Sequence, residues 1–300
     1  MMPTVHALCV EPVVDVFKEH TIAGGGGVHV SVGAMELGLP VHLHLVTGND
    51  ADGNFLAEHI GGLFSRNARA PTELSHIVGG HITRRITYAD NGDVQDYTPP
   101  QDLSDATIAG VEASIESASS GDFLVLSGAT PPNKNMLYGD LAREHAEQRV
   151  VVDTSDPLAM RYAAKEQLLF MKATKQELKG ALNTLSRVYD KRCVMEALIP
   201  DRMEMFLVTN GKSGLTLYGE NTCVRATPPA AHASPVGAGD STVAAAILAI
   251  AKEKPLEDVA RFAAAYGSAT AGKQTLGNIH EFQDRIPKVS VLTRSMEFRI

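Results

Sequence analysis

The chain has 300 residues, 44% of them apolar and only 5% aromatic, with a formal charge of −8 and three cysteines. That length fits one large α/β domain or two smaller ones, with a core of aliphatic side chains and alanine. The acidic balance argues against nucleic acid or an anionic membrane as the main partner, while a small anion can still bind at a helix N-terminus. Cys9, Cys193 and Cys223 lack metal-ligand spacing, which fits a reduced interior. No apolar run approaches the roughly 20 residues of a membrane span, and no basic-then-apolar signal opens the chain. A cytoplasmic protein is expected.

Thr4 to Val10 reads as a first core strand. Pro12 ends regular pairing, so Asp15 is expected just past a strand end, where ligands of open α/β sheets collect. Standing alone, Asp15 reads better as a solvated loop carboxylate. Gly24 to Gly27 precede a helical pattern that Gly38 closes, so this run is a flexible loop or a backbone that approaches a ligand. Val41 to Thr47 alternates as a strand with His42 and His44 on one face. No third metal ligand stands near that pair in sequence, and plain strand histidines are the simpler reading. Gly48-Asn49-Asp50-Ala51-Asp52-Gly53 then turns into a helix over Phe55–Ile60.

His81 to Tyr97 predicts a hairpin turning at Asn91-Gly92. Arg84 and Arg85 fall on opposite sides of its first strand. Arg84 is either a bidentate phosphate contact or a solvated strand arginine. Helices are expected over Asp105–Ser119 and Asn135–Gln148, with strands at Asp122–Leu126, Val150–Thr154 and around Phe170. This alternation predicts a parallel sheet covered on both faces. Met203–Val208 and Leu215–Tyr218 flank a glycine turn at Gly211 and Gly214, and Leu256–Ala271 reads as a helix rich in small residues.

Ser234-Pro235-Val236-Gly237-Ala238-Gly239-Asp240-Ser241 leads into a long run of small apolar residues. This predicts a tight loop feeding the N-terminus of a buried helix, whose unpaired N–H groups favour an anion. Asp240 beside such a hole is placed to take a proton from an attacking hydroxyl. A glycine turn with Asp240 as a helix cap is the simpler alternative.

Val236-Gly237-Ala238-Gly239-Asp240-Ser241 resembles the C-terminal signature of the ribokinase-like carbohydrate kinases, the phosphofructokinase B family. The resemblance runs from about residue 4 to 285. It implies that Gly237, Ala238 and Gly239 form the anion hole and that Asp240 is the catalytic base. Glu11-Pro12-Val13-Val14-Asp15 is similar to the Asn-Pro-x-x-Asp of the phosphofructokinase-like branch, with Glu11 in place of asparagine. Gly25, Gly26, Gly27 and His29 match Gly-Gly-x-Gly-x-Asn, with His29 replacing the asparagine. By resemblance, Asp15, these glycines and His29 hold the sugar, while Thr83-Arg84 matches members in which the arginine grips a sugar phosphate. Ser127-Gly128-Ala129-Thr130-Pro131-Pro132 is similar to a string of the phosphofructokinase and tagatose-6-phosphate kinase branch.

Lys172-Ala173-Thr174-Lys175-Gln176-Glu177-Leu178 matches Lys-Pro-Asn-x-x-Glu-Leu, which implies that Lys172 and Thr174 lie by the nucleotide and that Glu177 helps hold Mg2+ through waters. Thr209, Gly211 and Gly214 match a nucleotide-phosphate turn, and Lys273 would edge the adenine pocket. The resemblance implies a single ribokinase-like domain over 1–300, a three-layer α/β sandwich with a mostly parallel central sheet. Two excursions, near 11–23 and 80–99, would form a small β lid and a possible homodimer contact. The implied activity is transfer of the γ-phosphate of Mg–ATP to a hexose phosphate. A kinase for an unphosphorylated sugar or nucleoside, and a sugar-phosphate sensor weakened at Glu11, His29 and Thr174, stand as alternatives. A dinucleotide-binding dehydrogenase fits least, because Gly24–Gly27 lacks Gly-x-Gly-x-x-Gly.

Overall fold

The computed structural model describes residues 2–18, 20–66, 69–88, 94–185, 203–229, 236–271 and 279–295. In chain order the first half runs β1 (Val5–Cys9), β2 (Val13–Val16), β3 (Thr21–Gly24), α1 (Gly26–Glu36), β4 (Val41–Gly48), α2 (Ala51–Arg66), β5 (Thr72–Gly79), β6 (Arg84–Tyr88), β7 (Val94–Tyr97) and α3 (Asp105–Ile115). Then come β8 (Phe123–Ser127), α4 (Leu137–Glu144), β9 (Arg149–Asp153), α5 (Pro157–Ala163), β10 (Leu168–Thr174) and α6 (Lys175–Leu185). The last part holds β11 (Met203–Thr209), β12 (Leu215–Tyr218), β13 (Thr222–Thr227), α7 (Ala238–Ala251), α8 (Leu256–Thr270), α9 (Ile279–Arg285) and β14 (Ser290–Ser295).

Among the described residues, ten strands form one sheet in the order β14-β13-β12-β11-β10-β9-β8-β1-β4-β5. From β11 to β5 all neighbours are parallel, and β12 to β14 extend the edge antiparallel. The central strands read as unbroken apolar runs because both their faces are covered; β8 (FLVLS) is buried at every residue. One face packs Val28, Ala34, Leu56, Ala244 and Tyr266 from α1, α2, α7 and α8. The other packs Ile108, Val111, Leu141, Met160 and Ala181 from α3 to α6. This is the three-layer α/β sandwich that the alternating pattern predicts.

Local chemistry starts the helices. Ser104 caps α3 by accepting from the Thr107 N–H, and Asp156 caps α5 with Pro157 in the first turn. Helix α7 is apolar nearly all round, as a helix buried between α1 and α8 must be. Small residues let these helices close up. A Cβ on Gly267 of α8 would stand 2.4 Å from Thr242 Oγ1 on α7.

A second sheet stands apart, in the order β3-β2-β6-β7. Its outer pairs are antiparallel, but β2 and β6 run parallel, joining two segments far apart in sequence. The Gly48–Gly53 turn fixes the entry to β6: Asp50 accepts from the Gly53 and Thr83 N–H groups, at 2.7 Å each. Those N–H groups outweigh the desolvation of Asp50 and hold its carboxyl below the usual range.

Several expectations shift. Asp15 does follow the end of β1, but it is not a solvated loop carboxylate; it lies inside β2, buried, because residues 13–16 pair with both β3 and β6. The expected hairpin starts at Arg84 rather than His81, since Gly48 and Asp50 tie down Thr83, and its Asn91-Gly92 turn lies outside the described residues. Helix α2 spans Ala51–Arg66, well beyond Phe55–Ile60, and α4 is shorter than Asn135–Gln148.

The chain crosses from β3 into α1 against the end of β1. There a Cβ on Gly27 would meet the Leu8 carbonyl oxygen at 2.5 Å and Cys9 Cβ at 2.7 Å. Gly27→Ala should cost about 1–3 kcal/mol, the usual scale of overpacking. The check is a lower urea midpoint with an unchanged m-value.

Candidate functional site

The carboxyl ends of the parallel strands point towards the second sheet, and two helices begin there. Helix α1 starts after Gly25, whose φ of 104° suits only glycine. A Cβ on Gly26 would meet Ser127 Oγ at 2.3 Å, so the glycine run lets α1 start against the ends of β1 and β8. Helix α7 starts after Gly237, a left-handed residue with φ 73°. Ala238, Gly239 and Asp240 form its first turn, where unpaired N–H groups and the positive dipole end gather.

The two helix starts meet through side chains. His29 Nδ1 of α1 lies 3.2 Å from Asp240 Oδ2 of α7, with side chains 12% and 18% exposed. Burial opposes charge on His29, but the hydrogen bond and charge of Asp240, together with the charge of Asp15, prevail and raise its pKa. Asp15 comes from β2, where Tyr88 OH of β6 donates to its Oδ1 at 3.1 Å. Burial pushes Asp15 up, with His29, Tyr88 and Arg84 opposing. The proposed base, the asparagine replacement and the proposed sugar ligand thus share one cluster.

Arg84 opens β6, and its guanidinium meets the Glu11 carboxylate at 3.2 Å. Burial raises Glu11 to about 7 against the pull of Arg84. The second arginine, Arg85, faces the other way and pairs with Asp52. Lys134 is engaged with Asp105 at 2.6 Å.

A second group lies at the ends of β9 to β11. The Lys172 ammonium donates to Asp153 Oδ1 at 2.9 Å, both buried, and stands 2.8 Å from where a Cβ on Gly239 would be. Gly239 thus makes room for a cation at the start of α7. Burial works against that charge, but Asp153, Asp240 and Glu177 outweigh it and hold the Lys172 pKa above its ordinary value. Asp153 was not singled out in the sequence; its signal was only a carboxylate ending a buried strand.

Thr174 and Glu177 form a reciprocal capping box. The Thr174 N–H donates to Glu177 Oε2 at 2.7 Å, and the Glu177 N–H donates to Thr174 Oγ1 at 3.0 Å. The Thr-x-x-Glu spacing carries that signal, which the reading towards metal passed over. Thr209 lies beside Thr174 in register, and Gly211–Ser213 form a short 3-10 turn closed by Gly214 at φ 85°. Lys273 lies outside the described residues.

Residues 3–281 match the family described as pfkB family carbohydrate kinase. The 1-phosphofructokinase of Bacillus subtilis (strain 168) is 28% identical over 245 residues, 80% of each chain. The ATP-dependent 6-phosphofructokinase isozyme 2 of Escherichia coli (strain K12) is 28% identical over 182 residues, 59% of each. A crystal structure of the phosphofructokinase-2 from Escherichia coli in complex with fructose-6-phosphate superposes with a TM-score of 0.76 at 22% identity, covering 96% of this chain and 99% of that one. These structural likenesses concern the fold.

The raised pKa of His29 gives a pH signature. Its contribution to stability is complete below the ordinary imidazole value of 6.5 and is lost as pH rises through the higher folded value. The melting-temperature advantage of wild type over His29→Asn should therefore be larger at about pH 6 than at about pH 9. A thermal melt series across that range checks it.

Proposed function

Because the chain belongs to the pfkB family of carbohydrate kinases, phosphotransferases with an alcohol acceptor, we propose that it transfers the γ-phosphate of Mg–ATP to a hydroxyl of a hexose phosphate. The observation that carries this reading is the Asp240 carboxylate in the first turn of α7, within reach of His29 and beside the Lys172 ammonium. It combines a proton acceptor, an anion-binding helix start and a cation in one place. The phosphofructokinase names of the relatives support the substrate class.

In this mechanism Asp15 and the Gly25–Gly27 backbone orient the sugar, and His29 holds the Asp240 carboxylate towards the acceptor hydroxyl. Asp240 takes the proton as the oxygen attacks. The N–H groups of Gly237, Ala238 and Gly239, with Lys172, stabilise charge on the transferring phosphoryl oxygens. A hard carboxylate such as Glu177 suits Mg2+, which keeps most of its waters and neutralises phosphate charge when bound. One oxygen of Glu177 is spent on the Thr174 N–H, so contact through water fits better than direct ligation. The β2-β3-β6-β7 sheet would cover the sugar as a lid and exclude water from the transfer.

One observation favours a second reading. Glu11 already occupies the Arg84 guanidinium, as suits a site for an unphosphorylated sugar. ADP release with Mg–ATP over fructose 6-phosphate, fructose 1-phosphate, tagatose 6-phosphate, fructose and ribose separates the two. Turnover confined to the phosphorylated sugars is expected, and turnover on free sugars alone would replace the hexose-phosphate reading. Asp240→Asn should lower kcat by at least about a hundredfold with an unchanged circular dichroism spectrum. Arg84→Ala should raise KM for the phosphorylated sugars while kcat changes little, as loss of a contact kept throughout the reaction does.

A further inference from the structure

Away from these residues, at the other end of β1, three histidines gather on the sheet face that α3 covers. His6 of β1 pairs in register with His42 of β4, and His44 follows two residues on. One nitrogen from each ring lies within 4.8 Å of the other two, and the His42 and His44 rings stack with centroids 4.2 Å apart. The sequence offered His42 and His44 without a third ligand; strand pairing supplies it from 36 residues upstream in the register His6–His42. We propose that His6, His42 and His44 form a binding site for a divalent transition-metal ion of the Zn2+ class.

The proton bookkeeping supports lone pairs facing inwards. Ser114 spends its hydroxyl hydrogen on the Val111 carbonyl at 2.7 Å, so its oxygen accepts from His44 Nδ1–H at 3.0 Å. His44 Nε2 is then a bare acceptor, and it faces His6 Nδ1 at 3.2 Å. The other nitrogen of His6 points at the Asp122 carboxylate, 3.7 Å away, and Nδ1 of His42 lies 3.5 Å from Glu73. A carboxylate behind His6 and a hydroxyl behind His44, with the opposite nitrogens facing each other, is the outer arrangement of histidine-bound zinc. His42 Nε2 is held by Ser75 Oγ at 2.7 Å, so ligation by His42 exchanges one of its two polar contacts for the ion. Two nitrogens on one tetrahedral zinc stand about 3.3 Å apart, close to the His6–His44 separation.

Without an ion, His6 Nδ1–H donates to His44 Nε2; with one, His6 carries its hydrogen on Nε2, on the side of Asp122, and both inward lone pairs are used. Three imidazoles select zinc-class ions over Mg2+ and Ca2+, which prefer oxygen. His42 is on the rim at 12% exposure, giving the ion a way in and solvent a way to complete the coordination.

The test is calorimetric titration of chelator-stripped wild-type protein with ZnCl2, and separately with MgCl2. A single tight Zn2+ equivalent, a raised melting temperature and no competition by Mg2+ are expected. Co2+ in its place should show the visible absorption of a tetrahedral ion. His42→Gln, whose side chain sits on the rim, should lose the tight equivalent while its metal-free melt stays cooperative. No stoichiometric Zn2+ uptake by wild type overturns the proposal whatever the variant does. So does a tight equivalent that persists in His42→Gln.

Discussion

His29 and Asp240 stand 211 positions apart in sequence and 3.2 Å apart in space. That one contact requires two helices to begin at the same edge of the sheet, and most of the architecture can be read as the means of bringing them there. Glycines at residues 25 to 27 let α1 press against the ends of β1 and β8, and a left-handed Gly237 turns the chain into α7. Alanines along α7 and small residues on α8 then hold α7 close to its neighbours. Burying a carboxylate this far is costly unless it is paired. The imidazole partner, the helix dipole and the nearby Lys172 ammonium together meet that condition.

Charge inside the molecule follows the same logic elsewhere. Lys172 with Asp153, and Arg84 with Glu11, are buried or half-buried pairs at the strand ends. Such pairs add little net stability by themselves, because desolvation cancels much of their attraction. Their effect is to fix where cations stand before any ligand arrives. A site built this way has its electrostatics arranged in advance, which is the condition for stabilising a charge that develops only during reaction.

The layers were legible in the sequence because they depend on local patterns. Continuous apolar strands, helical spacing and glycine turns put the sheet, its covering helices and the α7 start in their places. What sequence could not carry was pairing between distant segments. Locally, Pro12 argued against regular structure at Asp15 and only the resemblance put a β excursion there; pairing with β3 and β6 makes residues 13–16 a strand. His6 gave no signal as a partner of His42 and His44 until strand register placed it beside them. Thr174 and Glu177 are the opposite case. Their capping box is a purely local pattern, but resemblance to a metal-linked motif drew the reading away from it.

The junction between the small sheet and the sandwich has a mechanical consequence. Gly24 is the last residue of β3, and Gly25 already caps α1. No slack chain separates them. A tilt of the small sheet relative to the sandwich would have only the Gly24 and Gly25 backbone to absorb it before it reached the start of α1, the helix that carries His29. Small sheet and helix start are continuous rather than merely adjacent, like a latch and bolt cut from a single piece.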